Sequence, residues 1–130
     1  MVAATGEAPS GIVAYESDGL PNEYVGDLLV TSWGDHRIDR FRLKPKGASF
    51  TSKAEPVITG GENFRPVGLA VAPDGSLYCT DWVLRDYKLH GQGRVWRISM
   101  TSLQPARRSL AENDPVERLT ESEVIHRLCR

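Results

Sequence analysis

The sequence predicts a mainly β chain built from repeated antiparallel sheet units, with short helices at its C-terminal end. Three observations carry this. Short apolar runs bounded by Gly, Pro and Asp recur between residues 27 and 99. Two of these runs return later in near copy. After residue 105 the apolar spacing becomes helical.

The elements follow in order. Residues 1–10 are small and polar, the composition of a poorly ordered end. Residues 11–26 hold Ile12, Val13, Tyr15 and Leu20 among glycines and Pro21, so the whole stretch 1–26 reads as a loop segment with one short extended piece. Leu28–Trp33 is an apolar run suited to a strand covered on both faces. Gly34-Asp35-His36 is turn chemistry. In the next strand, Ile38–Leu43, Phe41 and Leu43 share one face while Arg40 and Arg42 share the other. Ile38 falls on the arginine face, which predicts a bulge or twist beside it. Pro45-Lys46-Gly47 ends that strand, and Pro56–Thr59 suits an outer one, broken by Gly60-Gly61. Val67–Ala72 alternates large and small side chains, so its Gly68/Ala70/Ala72 face predicts a close approach. Pro73-Asp74-Gly75-Ser76 is a tight turn. Leu77–Trp82 and Gly93–Ser99 are the last strands, separated by a loop over residues 83–92. In the tail, Asp114-Pro115-Val116-Glu117 supplies an N-cap, a first-turn proline and a capping-box acid. Val124, Ile125 and Leu128 then form a narrow helical stripe, too short to be stable alone.

The repeat is the most informative feature. Leu28, Thr31 and Trp33 return as Leu77, Thr80 and Trp82, an offset of 49. Arg37, Ile38, Arg40 and Phe41 return as Arg94, Val95, Arg97 and Ile98, an offset of 57. The longer loop at 83–92 absorbs the difference. A period near 50 without helices inside it points to β-propeller blades. Residues 27–60 then supply strands of a first blade, 61–104 the next blade, and 105–130 a helical tail: about one and a half blades. The competing reading is a free-standing sheet or small sandwich with a chance repeat. A partial propeller leaves apolar faces and strand edges bare, so its expected partners are the remaining blades or copies of itself.

Composition narrows the function classes. The net charge is −1 with 25% charged residues, which gives no reason to expect a nucleic-acid partner. The twelve arginines are scattered among acids and read as solvated faces. No apolar run approaches the ~18 residues of a membrane span, and the first residues lack the basic and apolar regions of a signal peptide. Cys79 and Cys129 imply no disulfide framework; two thiols, with Cys79 packed as a small hydrophobe, and a Cys79–Cys129 bridge both stay open.

Phe64-Arg65-Pro66-Val67-Gly68-Leu69-Ala70-Val71-Ala72-Pro73-Asp74-Gly75-Ser76-Leu77-Tyr78-Cys79-Thr80-Asp81-Trp82, followed by Gly93-Arg94-Val95-Trp96-Arg97-Ile98, resembles a late blade of the glucose/sorbosone dehydrogenase propellers. The combination is most similar to the planctomycete-type "membrane-bound dehydrogenase" domains. The resemblance covers residues 11–100 well and the tail weakly. It implies an oxidoreductase that uses pyrroloquinoline quinone, with calcium bridging cofactor and protein in full-length relatives, and a periplasmic or extracellular site of action. It places a cofactor-carboxylate arginine at Arg65, where a guanidinium fork suits a carboxylate. The family's cofactor lysine has no counterpart, since Gly34 stands there, and the base and the calcium ligands of the relatives are not in this chain. Two functions therefore stand: part of a sugar-dehydrogenase-like oxidoreductase that is not catalytic alone, with a sugar or quinone ligand, or a propeller-derived binding or scaffold module without chemistry.

Other candidates have structural readings that outweigh functional ones. Arg65 itself also suits a blade-junction pair with an acid. Asp74-Gly75 offers one acid, far short of a calcium loop. Asp81 suits capping of backbone donors beside Trp82. Trp33, Trp82 and Trp96 suit packing between blades. His36, His90 and His126 lack metal-ligand spacing, although His90 lies in the longest loop, where propellers carry function.

Overall fold

The computed structural model describes residues 1–100. Nine strands form two main sheets and a hairpin: β1 (Pro9–Ala14), β2 (Leu28–Ser32), β3 (Arg37–Phe41), β4 (Lys44–Lys46), β5 (Ser49–Thr51), β6 (Ala54–Thr59), β7 (Pro66–Val71), β8 (Leu77–Asp81) and β9 (Arg94–Ile98). The first sheet runs β1-β2-β3-β6, the second β7-β8-β9, and β4-β5 is the separate hairpin. Every pairing is antiparallel. This is a partial β-propeller: one four-stranded blade and three strands of the next. The expected short C-terminal helices lie outside the described residues, as do His126 and Cys129. Among the described residues no helix is long and apolar enough to cross a membrane.

The stretch 1–26, read from the sequence as a loop segment with one short extended piece, contributes β1, the first strand of the first blade. Its signal is a second repeat. Pro9-Ser10-Gly11-Ile12 matches Pro66-Val67-Gly68-Leu69 at the offset of 57. Both strands slip register at the same place, between Pro9 and Ile12 and between Pro66 and Leu69. In both, the slipped glycine N–H donates to a threonine on the neighbouring strand: Gly11 to Thr31 Oγ1 at 2.7 Å and Gly68 to Thr80 Oγ1 at 2.8 Å. A slip leaves one N–H outside the ladder, and a threonine hydroxyl in reach satisfies it.

The core lies between the two blades. Tyr15, Leu20, Leu29, Ile38, Leu77 and Cys79 are buried together, with Leu69, Val71 and Ile98 packed against them. Each fully buried aliphatic side chain here contributes about 1.5–3 kcal/mol. Ile38 reaches this core from the same strand face as Arg40, and the register against β6 shifts between Ile38 and Asp39, where the sequence placed a bulge. On the small face Ala70 is exposed, and the close approach is at Gly68. It is made by Gly11, where a Cβ would lie 2.3 Å from the Val67 carbonyl oxygen and 3.1 Å from Gly68 Cα. Thr31 seals the same contact by donating to that carbonyl at 2.6 Å.

The arginines are not uniformly solvated. Arg40 is 2% exposed. It donates to Asp27 Oδ2 at 2.6 Å and Glu23 Oε1 at 3.0 Å, bonds the Glu23 carbonyl, and lies over the Tyr24 ring. A 3₁₀ turn, Asn22–Tyr24, delivers Glu23 and Tyr24 to it. Composition alone cannot separate such a residue from a solvated one, because the partners lie 13 and 17 residues away.

Candidate functional site

Three connections meet at one end of the sheets: the β2–β3 turn, the β6–β7 crossing between blades, and the long β8–β9 loop. Gly60 N–H donates to the His36 carbonyl at 2.8 Å, and Trp82 N–H to the Arg65 carbonyl at 2.9 Å. The N-terminal stretch joins them. Trp33 N–H and Gly34 N–H donate to the Ala8 and Glu7 carbonyls. Asp35 then accepts from Glu7 N–H at 2.7 Å and from Ser32 Oγ at 2.6 Å. Those two bonds, the serine first, hold the Asp35 carboxyl below its ordinary range.

Arg65 is 5% exposed at the centre of this rim. Its guanidinium lies 4.4 Å over the Trp33 ring, and Nη1 donates to the Trp33 carbonyl at 3.3 Å. Glu62 approaches Nη2 at 4.0 Å. Its Nε is buried with no protein acceptor among the described residues. The backbone of Arg65 is held by Asp81, whose Oδ1 accepts from Arg65 N–H and Val83 N–H, both at 2.8 Å. Asp81 Oδ2 accepts the Trp96 indole N–H at 2.9 Å. The capping role read for Asp81 is what the structure shows.

Tyr87 stacks on Trp33 at 5.7 Å with an 8° angle, and His90 meets the Trp82 ring edge-on at 4.8 Å. Trp33, Trp82, Tyr87 and Val67, with Ala8 and Ser10, line a cavity of about 290 Å³. The rim thus gathers Trp33, Arg65, and Trp82 with His90 from three separate stretches. Trp96 lies elsewhere, in a groove of about 590 Å³ with Ile58, Phe64 and Ile98 on the outer flank. His36 is used structurally, its Nδ1 2.9 Å from the Phe64 carbonyl. Asp74 is also committed: Oδ1 accepts from Ser76 N–H and Oγ, and Oδ2 from Arg97 at 2.6 Å. No group of three metal-ligating side chains occurs among the described residues.

Sequence reading missed Tyr87. It is 81% exposed, in the loop singled out for His90, and nothing in its neighbours marks it as Trp33's stacking partner. The rim also collects backbone strain. Ala8, His36 and Val83 are the non-glycine residues with positive φ, at 51°, 57° and 76° among the described residues. For β-branched Val83 this is a rare conformation of a kind that clusters at ligand-binding sites.

The family model for a domain of unknown function, DUF7133, matches residues 3–86. The chain belongs to this family. The match begins before β1 and ends in the β8–β9 loop, so the DUF7133 region contains the whole first blade and most of the rim. Among solved structures, the crystal structure of a Thermus thermophilus protein described as an oxidoreductase (glucose dehydrogenase) is similar, at 24% identity and a TM-score of 0.51. The likeness covers 69% of this chain and 25% of that one, so the DUF7133 chain spans about a quarter of that structure's length. The likeness shows the fold, and the resemblance to sugar-dehydrogenase propellers read from the sequence holds at that level. No curated protein matches.

Proposed function

We propose that this DUF7133 chain forms part of the wall of a sugar-dehydrogenase-like propeller. Its rim contributes to a site for a planar, carboxylate-bearing ligand of the pyrroloquinoline quinone class. One observation carries the reading. The Arg65 guanidinium keeps a buried, unpartnered Nε beside the Trp33–Tyr87 stack. An N–H left without an acceptor in a buried position costs about 1–3 kcal/mol, and a ligand carboxylate at the rim would remove that cost.

The residues fit one carboxylate and a ring face, not a complete cofactor site. When bound, such a quinone supplies a two-electron acceptor for alcohol oxidation. This chain's part is narrower. Arg65 would bind the anion, Trp33 and Tyr87 would orient a flat ring, and the aromatic walls would exclude water from the ion pair. Oxidation needs a base and further cofactor contacts from other blades, so the chain alone is not catalytic on this reading. The second reading, a scaffold module without chemistry, draws on the structural bonds of Arg65 to Trp33 and Asp81.

Titration with pyrroloquinoline quinone and calcium, read by tryptophan quenching and thermal shift, separates the two. The site reading expects saturable quenching with a rise in melting temperature. Arg65→Lys should weaken it about tenfold or more, since lysine lacks the fork. Tyr87→Ala, at an exposed position that does not threaten folding, should weaken it too. Quenching that is absent, or equal in wild type, Arg65→Lys and Tyr87→Ala, leaves only the scaffold reading.

A further inference from the structure

Among the described residues, two buried side-chain nitrogens have no hydrogen-bond partner, Arg65 Nε and His90 Nε2, and both belong to the rim. The ligand reading above uses the first. The second has a defined chemical form. His90 Nδ1 accepts from Gln92 N–H at 3.0 Å, so that nitrogen carries the lone pair and the proton of the neutral ring sits on Nε2. Nε2–H is therefore a donor, buried and unused.

The nearby indole is already committed. Trp82 Nε1–H donates to the Asp86 carbonyl at 2.8 Å, and Asp86 Oδ1 accepts from Lys88 N–H at 3.0 Å. Trp82 thus offers a ligand only its ring, and Asp86 ties the loop that carries His90 to that ring. Trp33 and Trp82 are two walls of one cavity, and each has a donor beside it. Arg65 lies 4.4 Å over Trp33, and His90 meets Trp82 edge-on at 4.8 Å. A small single anion held by Arg65 leaves His90 Nε2–H stranded. A rigid flat ring with acceptor oxygens at separate positions can satisfy both donors.

We propose that His90 is a second binding residue of this site. Its Nε2–H donates to a carboxylate or carbonyl oxygen of the ligand, away from the carboxylate held by Arg65. The inference rests on the ligand reading above and narrows it: the site selects a flat ring with two or more separate acceptor groups over a ring with one anion. A hydrogen bond to a charged oxygen is worth about tenfold or more in affinity, so the second donor sets specificity as well as strength.

Two substitutions separate the donor from the bond that His90 makes within its own loop. His90→Asn keeps an acceptor at the Nδ1 position for Gln92 N–H but lacks the distal donor. His90→Gln carries an amide N–H out to the Nε2 position and gives up the bond to Gln92. The full chain is titrated with pyrroloquinoline quinone and calcium, read by tryptophan quenching, and melting curves of the unliganded variants confirm that both fold. Binding should weaken about tenfold in His90→Asn and stay within about threefold of wild type in His90→Gln. Quinoline-2-carboxylate, a flat ring with one anion, should bind wild type and His90→Asn alike. A loss in His90→Gln as large as that in His90→Asn overturns the proposal, as does a loss in His90→Asn that quinoline-2-carboxylate shares. Weakening by Arg65→Lys with no effect of His90→Asn leaves the ligand reading standing while this one fails. A wild type that does not bind the quinone overturns both.

Discussion

Tyr15→Phe removes one oxygen atom from the middle of the inter-blade core. Tyr15 is fully buried, and its hydroxyl does two jobs. It donates to the Gly75 carbonyl of the β7–β8 turn at 2.7 Å and accepts from Leu20 N–H at 2.7 Å. The turn and the 15–20 loop are in close backbone contact. A Cβ on Gly75 would lie 2.2 Å from Gly19 N, and Gly75 holds φ at +77°, so neither stretch of backbone can shift to form a replacement bond cheaply. Phenylalanine fills the same volume, so no cavity term enters. What is lost is two hydrogen bonds, with a buried N–H and a buried C=O left unpaired. At about 1–3 kcal/mol for each stranded group, partly offset by relaxation, the expected loss is about 2–4 kcal/mol. For a domain near 100 residues that lowers the melting temperature by about 10–20 °C. Urea unfolding followed by tryptophan fluorescence should show the midpoint moving at constant slope. Tyr87→Phe, at an exposed ring, is the control and should change stability by less than about 0.5 kcal/mol. A Tyr15→Phe cost as small as that of the control would refute the claim that this hydroxyl ties the blades together.

Arg40→Met should cost about 3–5 kcal/mol, because it strands the buried Asp27 carboxylate; Asp27→Asn in the same background should recover part of that loss, measured by urea denaturation. Asp74 is held down to about 2 by its bonds to Ser76 and then Arg97, so its contribution to stability should be complete above about pH 4 and disappear as pH falls through about 2. Asp74→Asn should flatten that part of an acid-denaturation curve. Burial, reinforced by Asp81, pushes the Cys79 thiol up to about 11, so in a Cys129→Ser background it should react with a neutral-pH thiol reagent only at the rate of unfolding.

The strand pairs of the second blade and β2–β3 of the first were legible because their side chains carry the pattern. Leu28, Thr31, Arg37 and Phe41 each have a partner in kind one repeat later. The first strand was not, because its role is mostly backbone. Pro9, Gly11 and Ala14 offer little hydrophobic periodicity, and Gly11 matters for the side chain it lacks. The β4–β5 hairpin was hidden for a related reason: Lys44, Lys46 and Ser49 are exposed on a two-stranded ribbon, so no burial pattern writes itself into them. At the rim, Arg65 was singled out by resemblance, but its Trp33 and Asp81 partners lie 32 and 16 residues away. Spacing along one chain does not report such contacts.

The two blades differ at many repeat positions, and one of these lies at the rim. Ser32 and Asp81 are counterparts at the offset of 49. Ser32 ends its strand with one hydroxyl proton that both the Glu7 carbonyl, at 2.8 Å, and Asp35 Oδ2, at 2.6 Å, are placed to accept, and so it fastens the N-terminal stretch to the β2–β3 turn. Asp81 instead accepts from two backbone donors and an indole, and so fixes the start of β7 and the strained Val83. A carboxylate can gather three donors where a hydroxyl has one proton to give. Beyond Asp81 the β8–β9 loop is longer than the β2–β3 turn, and it sets Tyr87 against Trp33 and His90 against Trp82. The strand scaffold is shared by the two blades, but the blade with Ser32 at this position goes on into a tight turn, and the blade with Asp81 goes on into the long loop that carries Tyr87 and His90.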